Sequence, residues 1–170
     1  MQTARRITHF RESVIREMTR MATQYKAINL SQGYPDFDPP KALMDAAVDA
    51  IRQGSNQYSP TWGHLPLRQK LAEQYTEQLG WSVDPDLHVT VTCGVTEAIN
   101  SVFLALLNPG DQIIIIEPAH ENFIPAAIFA SAEPVSVMLE APDYRLEPEL
   151  LLRAITPRTR VLLLNTPHNP

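Results

Sequence analysis

Two short segments carry residue types at spacings suited to chemistry on an anionic, polar ligand. The first, Thr92-Cys-Gly-Val-Thr-Glu-Ala98, joins a predicted strand to a predicted helix. The free amides that open the helix and the Thr96 hydroxyl can converge there on an anion, at the positive end of the helix dipole. A simpler reading of the same residues is that Thr96 caps the helix while Gly94 relaxes the turn. The second segment, Asn165-Thr-Pro-His-Asn-Pro170, is a polar turn that strand Val161–Leu164 delivers to its own carboxyl end. Ligands bind at that end in open α/β sheets. The chain has no Gly-x-Gly-x-x-Gly and no Gly-Lys-Ser/Thr loop, which argues against a dinucleotide or a nucleoside triphosphate.

The elements that must position these segments alternate. His88–Thr92 reads as a strand, and Thr96–Leu107 as a helix with an apolar stripe of Ile99, Val102, Phe103 and Leu106. Asn108-Pro-Gly-Asp111 turns the chain into the buried run Ile113–Ile116. A helix over about Asn122–Ala130, a strand Val135–Leu139, a helix Glu147–Ile155 and the strand Val161–Leu164 follow. Strands separated by helices predict a largely parallel sheet with right-handed crossovers. Upstream, a polar helix over Ile7–Ala22 leads into an irregular loop, Ile28–Pro40, rich in proline and aspartate. Two further helices are predicted. Ala42–Gln53 carries Leu43, Ala46, Ala47 and Ile51 at helical spacing, and Leu65–Leu79 carries Leu67, Leu71 and Tyr75. Gly54 and Gly80 stand where helix-terminating glycines belong.

Composition bounds the function classes. The 170 residues are 44% apolar and 19% charged, ordinary for one globular domain with a core. A formal charge of −5 offers no basic footprint for phosphate backbones, so no nucleic-acid partner is expected. Cys93 is the lone cysteine, which fits a reducing, cytoplasmic setting. Aliphatic runs such as Ile113–Ile116 fall far short of the roughly 20 residues that cross a bilayer. Arg5, Arg6, Arg11, Arg16 and Arg20 recur at helical spacing, but Glu12 and Glu17 interrupt them, so a solvated amphipathic helix is preferred to a targeting peptide. No metal site is expected.

Five segments occur in an order and spacing that resemble a known family: Ser31-Gln-Gly-Tyr-Pro-Asp-Phe37, Asn56-Gln-Tyr58, Gly63-His-Leu-Pro-Leu-Arg68, Gly94-Val-Thr-Glu-Ala98 and Asn165-Thr-Pro-His-Asn-Pro170. They resemble the class I/II aminotransferases, the fold-type I enzymes that use pyridoxal 5′-phosphate. The resemblance runs from about Ile7 onward and corresponds to less than half of a complete family member. It implies an α/β fold: the three-layer, mostly parallel sheet of the fold-type I large domain, incomplete, with an N-terminal arm or small-domain segment. Residues 1–45 are assigned to that arm segment and 46–170 to the first part of the cofactor-binding domain.

Roles carry over from the resemblance residue by residue. Gly33 matches the glycine whose backbone lies against the substrate α-carboxylate, although alone it reads as a turn glycine. Tyr58 matches the tyrosine that reaches the cofactor phosphate of a neighbouring subunit, implying a homodimer; as an isolated tyrosine it would be a packing residue. Gly94, Val95 and Thr96 match the phosphate loop already inferred from the helix start. Asn169 matches the asparagine that donates to the cofactor's phenolic oxygen. His120, in Glu117-Pro-Ala-His-Glu-Asn-Phe123, stands where the family usually has an aromatic ring stacked on the pyridine. Imidazole is planar but smaller and titrates near neutral pH. Phe123 is expected to pack beneath the site.

Catalytic groups are expected to be missing. Lys26, Lys41 and Lys70 all precede the phosphate loop, whereas the family's Schiff-base lysine follows the asparagine turn. The aspartate facing the pyridinium nitrogen and the arginine that clamps the substrate carboxylate also lie downstream in the family. The resemblance therefore implies an aminotransferase working on an L-amino acid and a 2-oxo acid, truncated before its lysine and inactive as this chain. The motifs lean toward the branch acting on methionine, glutamine, kynurenine or aromatic amino acids. Two alternatives stand beside this reading: a carbon–sulfur β-lyase of the same fold, and a non-catalytic binding or dimerising fragment. With four candidate strands and an unpaired edge, marginal stability or aggregation is expected.

Overall fold

The computed structural model describes residues 4–10, 12–33 and 35–169. Arg11, Tyr34 and Pro170 of the segments quoted above lie outside the described residues. The chain divides into two compact units, one formed by 1–13 with 93–170 and the other by 14–92.

The first unit is an α/β layer structure built on three parallel strands, β1 (Gln112–Glu117), β2 (Glu133–Met138) and β3 (Thr159–Leu163), in the order β2-β1-β3. Ile113 pairs with Pro134 on one side and Val161 on the other, and the ladder continues to Glu117 opposite Met138. The central strand reads Gln-Ile-Ile-Ile-Ile-Glu because both its faces are covered; Ile113, Ile114 and Ile115 have no exposed surface. Ile113 and Ile115 pack with Phe103 and Leu107, from helix α4 (Val95–Leu106) and its end, and with Phe123, Ala126, Ala127 and Ala130, from α5 (Phe123–Phe129) and its end. Alternation turns Ile114 and Ile116 to the opposite face. A short helix, α6 (Pro148–Ala154), packs against β2 and precedes β3. The predicted stripe on α4 is only half buried: Phe103 and Ile99 meet the core, whereas Val102 and Leu106 are exposed. β3 is an edge strand, and its Leu162 is partly exposed.

The sequence predicts one helix over Ile7–Ala22, but the chain forms a 3₁₀ turn over Arg5–His9 and then α1 (Val14–Tyr25). Between them Phe10 is extended, and its ring stacks on Phe129 with centroids 4.9 Å apart. Arg6 donates to the Phe129 carbonyl and Ser13 to Glu121, at 3.3 and 2.6 Å. These contacts hold the segment against α5, and the break lets it reach them.

The second unit holds α1, α2 (Lys41–Arg52) and α3 (Leu65–Leu79), with an irregular 28–40 segment, as the sequence predicts. Gly80 ends α3 in the left-handed region at φ 71°. The predicted stripe Leu67, Leu71 and Tyr75 is displaced by one residue: Arg68 and Ala72 are buried, while Leu67 and Tyr75 are largely exposed. Arg68 sets that face. Its guanidinium donates to the carbonyls of Gly63 and Pro85 at 3.1 and 2.5 Å and to Asp86 at 2.7 Å. A buried arginine needs such acceptors, and α3 rotates to supply them.

The predicted strand His88–Thr92 does not form. Asp84 takes the amides of Asp86 and Leu87 on its side chain, and its carbonyl accepts from His88, so a turn runs into the start of the predicted strand and uses its first donor. Val91 then bonds singly to the Trp62 carbonyl at 2.9 Å. Gly63 lies beneath it with φ 101°, and a Cβ on Gly63 would sit 2.6 Å from Val91 Cβ. Gly63→Ala therefore combines left-handed strain with a clash, and is expected to destabilise the protein by about 2–4 kcal/mol in chemical denaturation.

Asp111, at the entry to β1, accepts from the Asn108 backbone amide at 2.8 Å and faces Arg160 at 3.5 Å. The Asn108 amide, and then Arg160, hold its carboxyl below the usual carboxylate range. A depressed folded-state pKa stabilises above the unfolded value of roughly 3.9 and loses that contribution as pH falls through the folded one. Asp111→Asn should melt below the parent protein at neutral pH, with the gap closing under acid conditions.

Candidate functional site

The carboxyl ends of parallel strands collect the candidate residues of the first unit. After β1 the chain runs through Pro118 and Ala119 to His120; after β3 it enters the Asn165–Asn169 turn. The opening of α4 comes to the same place. Together Val95, Thr96, Ile99, His120, Asn122, Phe123, Asn165 and Asn169 line a cavity of about 380 Å³.

Gly94 is the N-cap of α4, with φ 83° and ψ 168°. Nothing lies within 4 Å of where its Cβ would be, so the backbone angle rather than space favours glycine here. Thr96 is therefore not the cap; it lies inside the first turn. Its hydroxyl accepts from the Asn122 side-chain amide at 3.0 Å, and its carbonyl accepts from Asn100 at 2.8 Å. The amides of Val95 and Thr96 belong to the first turn, where no intrahelical acceptor exists. Glu97 carries a charge in that turn, but its carboxylate bonds the Cys93 amide, back along the chain.

His120 is half-buried, with its ring centroid 5.7 Å from that of Phe123 and tilted by 43°. Its Nδ1 accepts from the Asn122 backbone amide at 3.3 Å, which in the neutral ring places the proton on Nε2. Phe123 is buried in the core as well as lining the cavity. At the other wall, Asn165 donates to the Asn169 carbonyl at 3.5 Å, and His168 Nε2 lies 2.6 Å from the Pro118 carbonyl. His168 thus joins the loop after β3 to the loop after β1.

The cavity unites Val95, Thr96, His120 and Asn169, with Gly94 adjoining as the cap. Gly33 and Tyr58 belong to the second unit. A Cβ on Gly33 would meet nothing within 4 Å, and Tyr58 is fully exposed. Lys41 and Lys70 are exposed and paired with Asp45 and Glu73 along their own helices, and the cavity lining contains no lysine. Asn122, Asn165 and His168 carry structural roles that the motif reading did not assign. Asn122 had a signal, an N-cap residue followed three positions later by a proline with no amide to cap. Among the described residues no group of three or more His, Cys, Asp or Glu is placed to hold a metal, and no helix is long and apolar enough to cross a membrane.

Comparison with known proteins places the chain among these folds. Residues 25–170 match the family model for aminotransferase class I and II. The chain is 43% identical to the probable N-succinyldiaminopimelate aminotransferase DapC of Mycobacterium tuberculosis, over 99% of this chain and 43% of the relative. It is 36% identical to the methionine aminotransferase of Escherichia coli, over 93% of this chain and 41% of that protein. The three-dimensional structure of the M. tuberculosis N-succinyldiaminopimelate aminotransferase superposes with a TM-score of 0.92 at 42% identity, covering 99% of this chain and 44% of that one. The chain thus spans less than half the length of these relatives. Its parallel sheet, its motif order and these matches agree: the chain belongs to the class I and II aminotransferase family.

Proposed function

We propose that this chain forms the phosphate- and ring-binding part of a pyridoxal 5′-phosphate-dependent aminotransferase, which moves an amino group from an L-amino acid to a 2-oxo acid. The observation that carries the reading is the convergence of the α4 opening, the Thr96 hydroxyl, His120 and Asn169 on one cavity. The donor set suits the cofactor. Helix-opening amides and a hydroxyl match a phosphate, a planar imidazole beside Phe123 matches an aromatic ring, and a carboxamide matches a phenolic oxygen. When bound, the cofactor supplies an electron sink for charge developing at the substrate's α-carbon.

On this reading Gly94 shapes the turn, and Val95 and Thr96 hold the phosphate. His120 lies against the ring, with its tautomer fixed by the Asn122 amide. Asn169 orients the ring through its oxygen. Gly33 lies along the substrate carboxylate, and Tyr58 serves the phosphate of a partner subunit in a homodimer. The lysine that moves the proton is not one of Lys26, Lys41 and Lys70. Donors of the methionine and kynurenine type fit the motif pattern, and relatives that include a methionine aminotransferase and a kynurenine–oxoglutarate transaminase support that choice.

The reading is tested by supplying the protein with a panel of L-amino acids, methionine and kynurenine among them, together with 2-oxo acids. The expected outcome, for a longer form of the protein that supplies the lysine, is a new amino acid formed in step with donor loss and without free ammonia, and for these 170 residues alone no turnover. Release of pyruvate and ammonia from a thioether substrate, with no acceptor present, would assign the fold to β-elimination instead.

His168 gives a second test. Its link to the Pro118 carbonyl holds the Asn165–Asn169 turn against the loop bearing His120. His168→Ala should speed amide hydrogen exchange in that turn by about fivefold, the equivalent of one hydrogen bond of roughly 1 kcal/mol, while His168→Gln should recover part of the protection.

A further inference from the structure

Asn122 occupies the N-cap of α5 but makes no side-chain capping bond there. Its backbone lies in the helical region, at φ −83° and ψ −13°, rather than in the extended region from which a capping side chain reaches back. Pro125, at the third helical position, also removes one of the two amides such a side chain can accept from. The carboxamide instead reaches across 26 positions of sequence and donates through Nδ2 to Thr96 Oγ1 at 3.0 Å. A threonine hydroxyl has one hydrogen and two acceptor lone pairs. Once Asn122 occupies a lone pair, the hydrogen is turned elsewhere, and no acceptor among the described residues takes it. Both side chains line the cavity.

We infer that Asn122 is a positioning residue which orients the Thr96 hydroxyl so that it donates into the cavity, to the phosphate of the bound cofactor. This rests on the proposed function and adds to it a residue that acts through another. The arrangement is coupled to His120 as well, because the Asn122 backbone amide fixes the imidazole tautomer. One residue thereby sets a hydroxyl on the phosphate side and a ring on the aromatic side, the first through its side chain and the second through its main chain.

The test uses the full chain and two probes, pyridoxamine 5′-phosphate and pyridoxamine, whose amine cannot condense with surface lysines. Affinities are read by fluorescence titration. Asn122→Ala should weaken the phosphorylated probe by about three- to tenfold, the equivalent of one hydrogen bond, and leave pyridoxamine unchanged. Asn122→Asp, which offers only acceptors and recaptures the Thr96 hydrogen, should weaken it further. In a Thr96→Val background, Asn122→Ala should have no additional effect on the phosphorylated probe. Equal losses for both probes, or additive losses in the double variant, would overturn the inference and assign Asn122 a packing role. Failure of the parent chain to prefer the phosphorylated probe would overturn the functional reading itself, and this inference with it.

Discussion

Burial of β1 between two parallel neighbours is the constraint on which the site depends. A strand paired on both edges and covered on both faces has no polar surface to spare, so Gln112–Ile116 are all buried and every backbone group must find a ladder partner. Parallel pairing then forces each connection to cross a face of the sheet. It also brings all three carboxyl ends to one rim. Nothing more is needed to bring the loop bearing His120 beside the turn bearing Asn169, although they are far apart in sequence. α5 can lie close enough to complete the rim because its inward face is alanine at 126, 127 and 130.

The second unit follows a different rule. Its buried set is small, and its organiser is polar: Arg68, with acceptors from Gly63, Pro85 and Asp86. Removing a guanidinium from water is unfavourable unless its donors are matched, so the segments supplying those oxygens are constrained as firmly as an apolar core would constrain them. The packing of Gly63 under Val91 belongs to the same joint, since the carbonyl of Gly63 is one of the acceptors and its missing side chain makes room for the side chain of Val91.

Much of this was legible in sequence, and the losses have physical causes. Long periodic segments and unbroken aliphatic runs announced themselves: Leu65–Leu79 and Ile113–Ile116 fall inside elements of the expected type. The strand at 88–92 was misread because alternation records side chains, whereas a strand is made by partners. Here the His88 amide goes to the Asp84 carbonyl and the Val91 amide to Trp62 in a loop. The face of α3 was misread because apolar periodicity cannot register a buried arginine. The helix expected over Ile7–Ala22 breaks at Phe10, and only tertiary structure reveals what that ring packs on. Within the site, the Gly94–Thr96 turn was visible as glycine plus hydroxyl before a helix, yet the assignment of cap and hydroxyl exchanged roles. Asn122 and His168 act through contacts 26 and 50 positions away, which no local pattern encodes.

The opening of α4 resolves a conflict that its own sequence creates. The helix dipole favours an anion at its start, and Glu97 already brings one. Two negative groups drawn to the same few amides would compete. The structure separates them by direction: the Glu97 carboxylate bonds the Cys93 amide, behind the cap, while the amides of Val95 and Thr96 open the helix beside the cavity. Gly94 makes the separation possible, because its left-handed φ swings the chain so that the amides before and after it serve different acceptors. A glycine-rich phosphate loop achieves such an array with several glycines. On the proposed function one glycine suffices here, because the Thr96 hydroxyl, held from outside the helix by Asn122, is left to supply a further donor at the cavity wall. The geometry of this turn is thus set by two helices and not by α4 alone.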